Sequence, residues 1–206
     1  MESAHFAERF QLFMIIALGE SIVLIGATTA RLGLSLTRVT AFGLAFLVTA
    51  ALWWLYFTYV AEIAQRRLEL SEERTKLARD AYTYLHVVMV AGIILSAVGA
   101  ELVIAHPTAP LSPGRIAAVV AGPAVYLIGL ALFRLRMAGS VGPKRLLGAA
   151  GCGAAGAIGA AVPGIAVEAL VLASVAAVIA SEVVAGLRRR ARGEPSPLER
   201  LEATAP

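Results

Sequence analysis

Residues 10–30 read FQLFMIIALGESIVLIGATTA, an apolar run with one carboxylate, Glu20, near its middle. A helix needs about 20 such residues to cross the hydrocarbon of a bilayer, so the run predicts a transmembrane span. A carboxylate at that depth costs roughly 2.5–3.5 kcal/mol on insertion scales and more by simulation. Such residues usually face the interior of a helix bundle or a wet cavity, where they find a partner. Glu20 is therefore expected to face inward, at the centre of a polar site.

Five more apolar stretches follow, at 39–61, 83–105, 115–133, 146–162 and 165–187. The chain has 206 residues, 59% of them hydrophobic and 16% charged. Its mean hydropathy of +0.78 is too apolar for a soluble domain of this size. An open sheet cannot satisfy its backbone in lipid, and the alternating segments of a β-barrel are missing. The expected fold is an all-α, polytopic transmembrane helical bundle of six spans. It forms a single membrane domain over 1–187, followed by a basic, polar, poorly ordered tail over 188–206. The first run exceeds the core of a signal peptide and no A-x-A site follows it, so it is expected to remain as an anchor.

The formal charge of +4 could suggest a nucleic-acid partner, but its distribution argues against one. With six spans, 15 of the 18 Lys and Arg fall on one side; only Arg31, Arg38 and Arg115 fall on the other. The positive-inside rule then places both termini in the cytoplasm of a bacterial inner-membrane, multi-pass protein. The basic surplus serves topology and anionic lipid, and membrane lipid is the expected partner rather than nucleic acid.

The connections are short. A Pro-rich turn at 106–114 and the Pro163-Gly164 pair belong on the outer side. In the inner loop, Ser71 followed by Glu72 and Glu73 reads as a helix N-cap with an acidic first turn, and Glu72 with Lys76 as an i,i+4 pair. Trp53, Trp54, Tyr56 and Tyr59 read as an interfacial aromatic belt. The fifth run alternates Gly and Ala around Cys152, a surface for close packing on another helix. Cys152 is the chain's one cysteine, so no internal disulfide forms, and burial should leave it inert. Gly122-Pro123 predicts a kink in the fourth span.

On a wheel of 100° per residue, His5, Glu8, Arg9, Leu12, Ile16, Gly19, Glu20 and Val23 share one stripe. Arg79, Thr83, His86, Val90, Ala97 and Glu101 make a second stripe on the third span. The spacing from His5 to Glu20 equals that from His86 to Glu101, which suggests two related helices facing one cavity. Asp80 and Tyr84 add an i,i+4 pair at its mouth. The bland alternatives are an interfacial ion pair for Glu8 and Arg9, surface exposure for Glu101 and a satisfied bundle histidine for His86. No H-E-x-x-H, G-x-S-x-G, C-x-x-C or P-loop pattern occurs, so no catalytic residue, metal site or cofactor is expected.

The stretch from His5-Phe-Ala-Glu8-Arg9 through Leu18-Gly19-Glu20-Ser21 resembles a signature of the bacterial low temperature requirement A (LtrA) family. Arg79-Asp80-Ala81-Tyr82-Thr83-Tyr84-Leu85-His86, followed by Met89-Val90-Ala91-Gly92-Ile93, resembles a second family segment. The resemblance covers most of the chain. It implies a polytopic membrane protein named for a cold-growth phenotype, without a settled molecular activity. Members are usually about twice this length, with an earlier membrane half, so this chain corresponds to the C-terminal half: a short member, a fragment of a longer protein, or one half that pairs with another copy as a homodimer or with the missing N-terminal half. The leading expectation is a protein that handles ions or a small solute with proton coupling, with Glu20 central and His5, Glu8, Arg9, Asp80, Tyr84, His86 and Glu101 in support. The alternatives are a non-transporting membrane-adaptation or interaction protein and, last, a lipid-acting enzyme.

Overall fold

The computed structural model describes residues 3–71 and 73–203. Those residues are built almost wholly of helix: α1 (Ser3–Leu32), α2 (Leu36–Tyr59), α3 (Ala61–Leu70), α4 (Arg74–Leu77), a π-helical stretch (Ala78–Leu85), α5 (His86–Ala105), α6 (Pro113–Ala138), α7 (Pro143–Ile158), α8 (Gly164–Ala191) and α9 (Pro197–Ala203). The all-α bundle expected from composition is the observed architecture.

Local chemistry fixes several ends. The Ser35 hydroxyl accepts the Arg38 N–H at 3.3 Å and caps α2. Pro113 opens α6 where its missing N–H has no intrahelical partner to lose. Gly139, at φ 66°, closes the same helix by donating to the Leu135 carbonyl. The tail is more ordered than its composition suggested. α8 runs on to Ala191, and Ser196 and Glu199 cap α9 reciprocally, with Ser196 N–H on the Glu199 carboxylate at 2.6 Å and Glu199 N–H on Ser196 Oγ at 3.2 Å. The Ser196 N–H also holds the Glu199 carboxyl below its ordinary pKa. The expected Glu72–Lys76 pair falls on Glu72, outside the described residues; Lys76 pairs with Glu73 at 3.5 Å.

Helices α5 and α6 form the centre. Half of the apolar window of α5 and 56% of that of α6 are buried, against 22% for α1 and for α8. Glycines set their approach: a Cβ at Gly92 would lie 2.7 Å from the Tyr126 backbone nitrogen, one at Gly99 2.6 Å from Val119 Cα, and one at Gly122 would strike the Ser96 backbone. α7 packs its small face between α6 and α8, as its Gly/Ala pattern predicted, with Gly148 against Val178, Gly151 against Ser174 and Gly156 against Val120. Cys152 is fully buried among them.

Among the described residues, five helical segments are long and apolar enough to cross a membrane. The run expected as the fifth span is not one of them, because α7 has only 16 residues before a three-residue 3₁₀ turn. It nevertheless carries the chain from one end of the bundle to the other. At one end the 106–114 turn meets the α7–α8 turn: Gly164 N–H donates to Ala109 O at 3.0 Å and Ile165 N–H to Pro107 O at 2.9 Å. At the other end Gln11 of α1 meets Gln65 of α3, Asp80 meets Arg136 of α6, and Arg66 meets Glu202 of α9. The first and last described helices thus begin and finish at the same end, the basic one.

The aromatic belt divides. Trp53 and Trp54 are 43% and 45% exposed, as a belt requires, whereas Tyr56 turns inward and is buried.

Candidate functional site

His86 sits at the first residue of α5, where the π-helical stretch ends. Its ring is fully buried in a box of aromatic rings. Tyr82 stacks on it at 5.3 Å, and Phe10, Tyr56 and Phe133 present edges at 5.1, 5.6 and 5.2 Å. The box gathers α1, α2, α6 and the π stretch around one side chain. The Ala81 carbonyl, 3.3 Å from His86 Nδ1, can only accept, so Nδ1 carries the proton. His86 Nε2 then accepts from the Tyr56 hydroxyl at 2.8 Å. Both ring nitrogens of the neutral imidazole are satisfied, which is the bland reading of a bundle histidine. The box holds one loose group: the buried Tyr82 hydroxyl has no hydrogen-bond partner.

The π stretch explains why the expected stripe on this helix breaks. Its i→i+5 pattern shifts each turn by a residue relative to an α-helix. Arg79 and Thr83 therefore face outward while His86, Val90 and Ala97 face inward. The Asp80–Tyr84 pair fails for the same reason. Tyr84 is 61% exposed, and Asp80 instead lies between Arg79 at 3.0 Å and Arg136 of α6 at 3.2 Å. Glu101, at the opposite end of α5, is half-buried rather than exposed and accepts a hydrogen bond from the Thr28 hydroxyl of α1.

The α1 stripe exists as read, but it points the other way. α1 buries Ala7, Met14, Leu18 and Ile25 against the bundle. His5, Glu8, Arg9, Leu12, Ile16, Gly19, Glu20 and Val23 all lie on the opposite, exposed face. Within it His5 Nδ1 and Glu8 meet at 3.1 Å. Neither Arg9 nor Glu20 has a hydrogen bond or ion pair with any described residue. A Cβ added at Gly19 would meet nothing within 4 Å. The expectation that Glu20 faces the interior is overturned: Met14, Leu18 and Ile25, on the opposite side of the helix, take the core instead. The matched His-to-Glu spacings follow opposite faces, so His5 with Glu20 and His86 with Glu101 do not line one cavity.

Three groups escaped the sequence reading. Arg145 was counted only as a loop cation, yet it is the largest fully buried side chain in the bundle. Glu182 of α8 lies 3.7 Å from Lys144 and 4.0 Å from Arg145. Glu168, in the first turns of α8, is 4% exposed without a hydrogen bond or ion pair to any described residue. The charge pattern around residues 144–145 signalled a loop, and nothing in the sequence distinguished the inward arginine from its neighbours.

Residues 1–180 match the family described as bacterial low temperature requirement A protein (LtrA). An uncharacterized protein of Rhizobium meliloti (strain 1021), RA0937, is 34% identical over 129 residues, which are 63% of this chain and 32% of that protein. The chain therefore spans about a third of the curated relative it matches. No solved structure matches it. The family match runs from α1 into α8, through the α1 stripe, the π stretch and the histidine box. A helical bundle with membrane-length segments and a match of that extent lead to one assignment: this multi-pass membrane protein belongs to the LtrA family.

Proposed function

We propose that the chain is an inner-membrane, proton-coupled ion- or solute-handling protein whose exchangeable carboxylate, Glu20, works at an interface between two copies. The observation that carries this reading is Glu20 itself, midway along α1 on an exposed face and without a partner. Facing lipid, an ionised carboxylate there costs roughly 2.5–3.5 kcal/mol or more, so a covered and hydrated arrangement is favoured. Glu8 and Arg9 lie on opposite flanks of the same stripe. In a parallel two-fold pairing of α1 helices, each Glu8 meets the Arg9 of the other copy. Glu20, on the same flank as Arg9, then lies across from Gly19 of the other copy, whose bare backbone leaves room for water or a cation. Covered there, the carboxylate is a site at which a proton or a cation can exchange. Both termini take the cytoplasmic side, from the 15-to-3 segregation of Lys and Arg.

Proteoliposome flux across a panel of cations at set pH gradients tests the reading. Wild-type protein should carry a proton-linked flux. Glu20→Gln should abolish it while keeping the unfolding temperature, because Gln matches Glu in size and cannot exchange a proton. No flux of any cation, or an unimpaired Glu20→Gln protein, ends this reading and leaves a non-transporting interaction protein. Ile16→Cys on the same face should cross-link between copies, since buried Cys152 does not compete.

A further inference from the structure

A cavity of about 1110 Å³ opens at the basic end, between α2, α3, α6, α7, α8 and α9. Arg145 lines it from the first turn of α7, whose N-terminal residues Gly142, Pro143 and Lys144 also face it. Arg145 is 1% exposed, and its Nε and Nη1 have no hydrogen-bond partner. Its nearest acid is Glu182, at 4.0 Å from Nη2, beyond hydrogen-bond distance. Glu182 is drawn toward Lys144 at 3.7 Å, and Lys144 also donates to the Ser181 carbonyl at 2.9 Å. A buried guanidinium with unused donors is costly, about 1–3 kcal/mol for each unsatisfied polar group and more for a charged one.

The remaining charges around the cavity do not supply the missing acceptor. Glu194 is held by Arg192 at 3.7 Å and Arg200 at 3.3 Å, and Glu199 by the α9 cap. Glu62 lines the wall without an ion pair, while three cations do the same: Arg134, Arg189 and Arg190. Unpaired positive charge therefore exceeds unpaired negative charge. The α7 N-terminus adds its partial positive charge to the same wall. Met137, Ile63 and Leu198 supply an apolar side.

We infer that this cavity binds a phosphate-bearing anion, with Arg145 as the buried anchor and Arg134 and Arg189 closing on it. Guanidinium groups match the oxygens of a phosphate in paired hydrogen bonds, and several converge here. The phosphate can belong to a soluble molecule or to a lipid headgroup, because the cavity adjoins the ends of membrane-length helices and carries an apolar wall. The inference is independent of any role for Glu20, which lies on the far face of α1.

Full-length protein in neutral detergent is titrated with inorganic phosphate by calorimetry. In parallel, protein in phosphatidylcholine nanodiscs is compared with protein in nanodiscs containing phosphatidylglycerol, reading the unfolding temperature. Saturable phosphate binding alone identifies a soluble ligand, a rise with phosphatidylglycerol alone identifies a headgroup, and both identify a site open to either. Arg134→Gln combined with Arg189→Gln touches only cavity-lining cations without ion pairs and should fold normally, yet weaken the positive arm about tenfold or more, as loss of charge-assisted bonds predicts. Arg145→Met removes the buried charge and should lose binding without losing the fold. Absence of both responses in the wild type, or wild-type affinity in both variants, overturns the inference.

Discussion

His86 shows how much of this bundle rests on one hydrogen-bonded pair. Its Nε2 accepts from Tyr56 across the α2–α5 contact, inside rings that exclude water. Tyr56→Phe leaves Nε2 without a donor, and His86→Leu leaves the Tyr56 hydroxyl without an acceptor. Each single change should destabilise by about 1–2 kcal/mol, the range for buried polar groups in membrane helices. The double variant should cost less than the two summed, since neither orphan remains. Thermal unfolding of the four proteins in one detergent measures the coupling, and strict additivity would mean that the bond contributes nothing. The histidine was readable as a special residue from sequence, because an ionisable side chain inside an apolar run stands out. Its partner was not, because Tyr56 lies in an aromatic cluster two of whose members, Trp53 and Trp54, do point outward.

At the scale of elements, helix type and span position follow from hydrophobic runs, while facing depends on competition between neighbours. On α1 the stripe containing Glu20 was recovered from a 100° wheel, yet the wheel has no inward direction of its own. Ala7, Met14, Leu18 and Ile25 lie half a turn away and take the core. The π stretch was invisible to periodicity, and it moved Arg79, Thr83 and Tyr84 off the expected face. Glycine content pointed to α7 as the tightly packed helix. The closest backbone approach is instead between α5 and α6, where a Cβ at Gly122 would collide with the Ser96 backbone. Gly122→Ala should therefore destabilise by about 1–3 kcal/mol, the usual cost of overpacking, because backbone cannot move aside as a flexible side chain can. Gly153→Ala meets open space on α7 and should be neutral or stabilising by up to about 1 kcal/mol through helix propensity. Equal effects of the two substitutions on unfolding temperature would show that the α5–α6 spacing is not set by Gly122.

For the whole molecule, the charge pattern and the fold agree on one division of the surface. The end that carries the 106–114 and 163–164 turns is poor in Lys and Arg, and the end that gathers Arg66, Arg134, Arg136, Lys144, Arg145 and the last turn of α8 is rich in them. The weak point of a six-crossing arrangement is α7. Its 16 α-helical residues and three 3₁₀ residues span about 30 Å at roughly 1.5 and 2.0 Å per residue, which matches the hydrocarbon thickness with little to spare. Its apolar surface is mostly Gly and Ala, so it holds its place by packing between α6 and α8 more than by hydropathy. Single cysteines at three exposed positions test the crossing: Thr108 in the first turn, Val141 before α7 and Gly193 after α8. A membrane-impermeant maleimide should label Thr108→Cys in intact spheroplasts. Val141→Cys and Gly193→Cys should react only after permeabilisation, and buried Cys152 should stay unlabelled throughout. Labelling of Gly193→Cys from outside, with Val141→Cys still protected, would put both ends of α7 on one side and reduce the bundle to five crossings. The positive-inside argument would then fail with it, because the arginines after α7 would change sides.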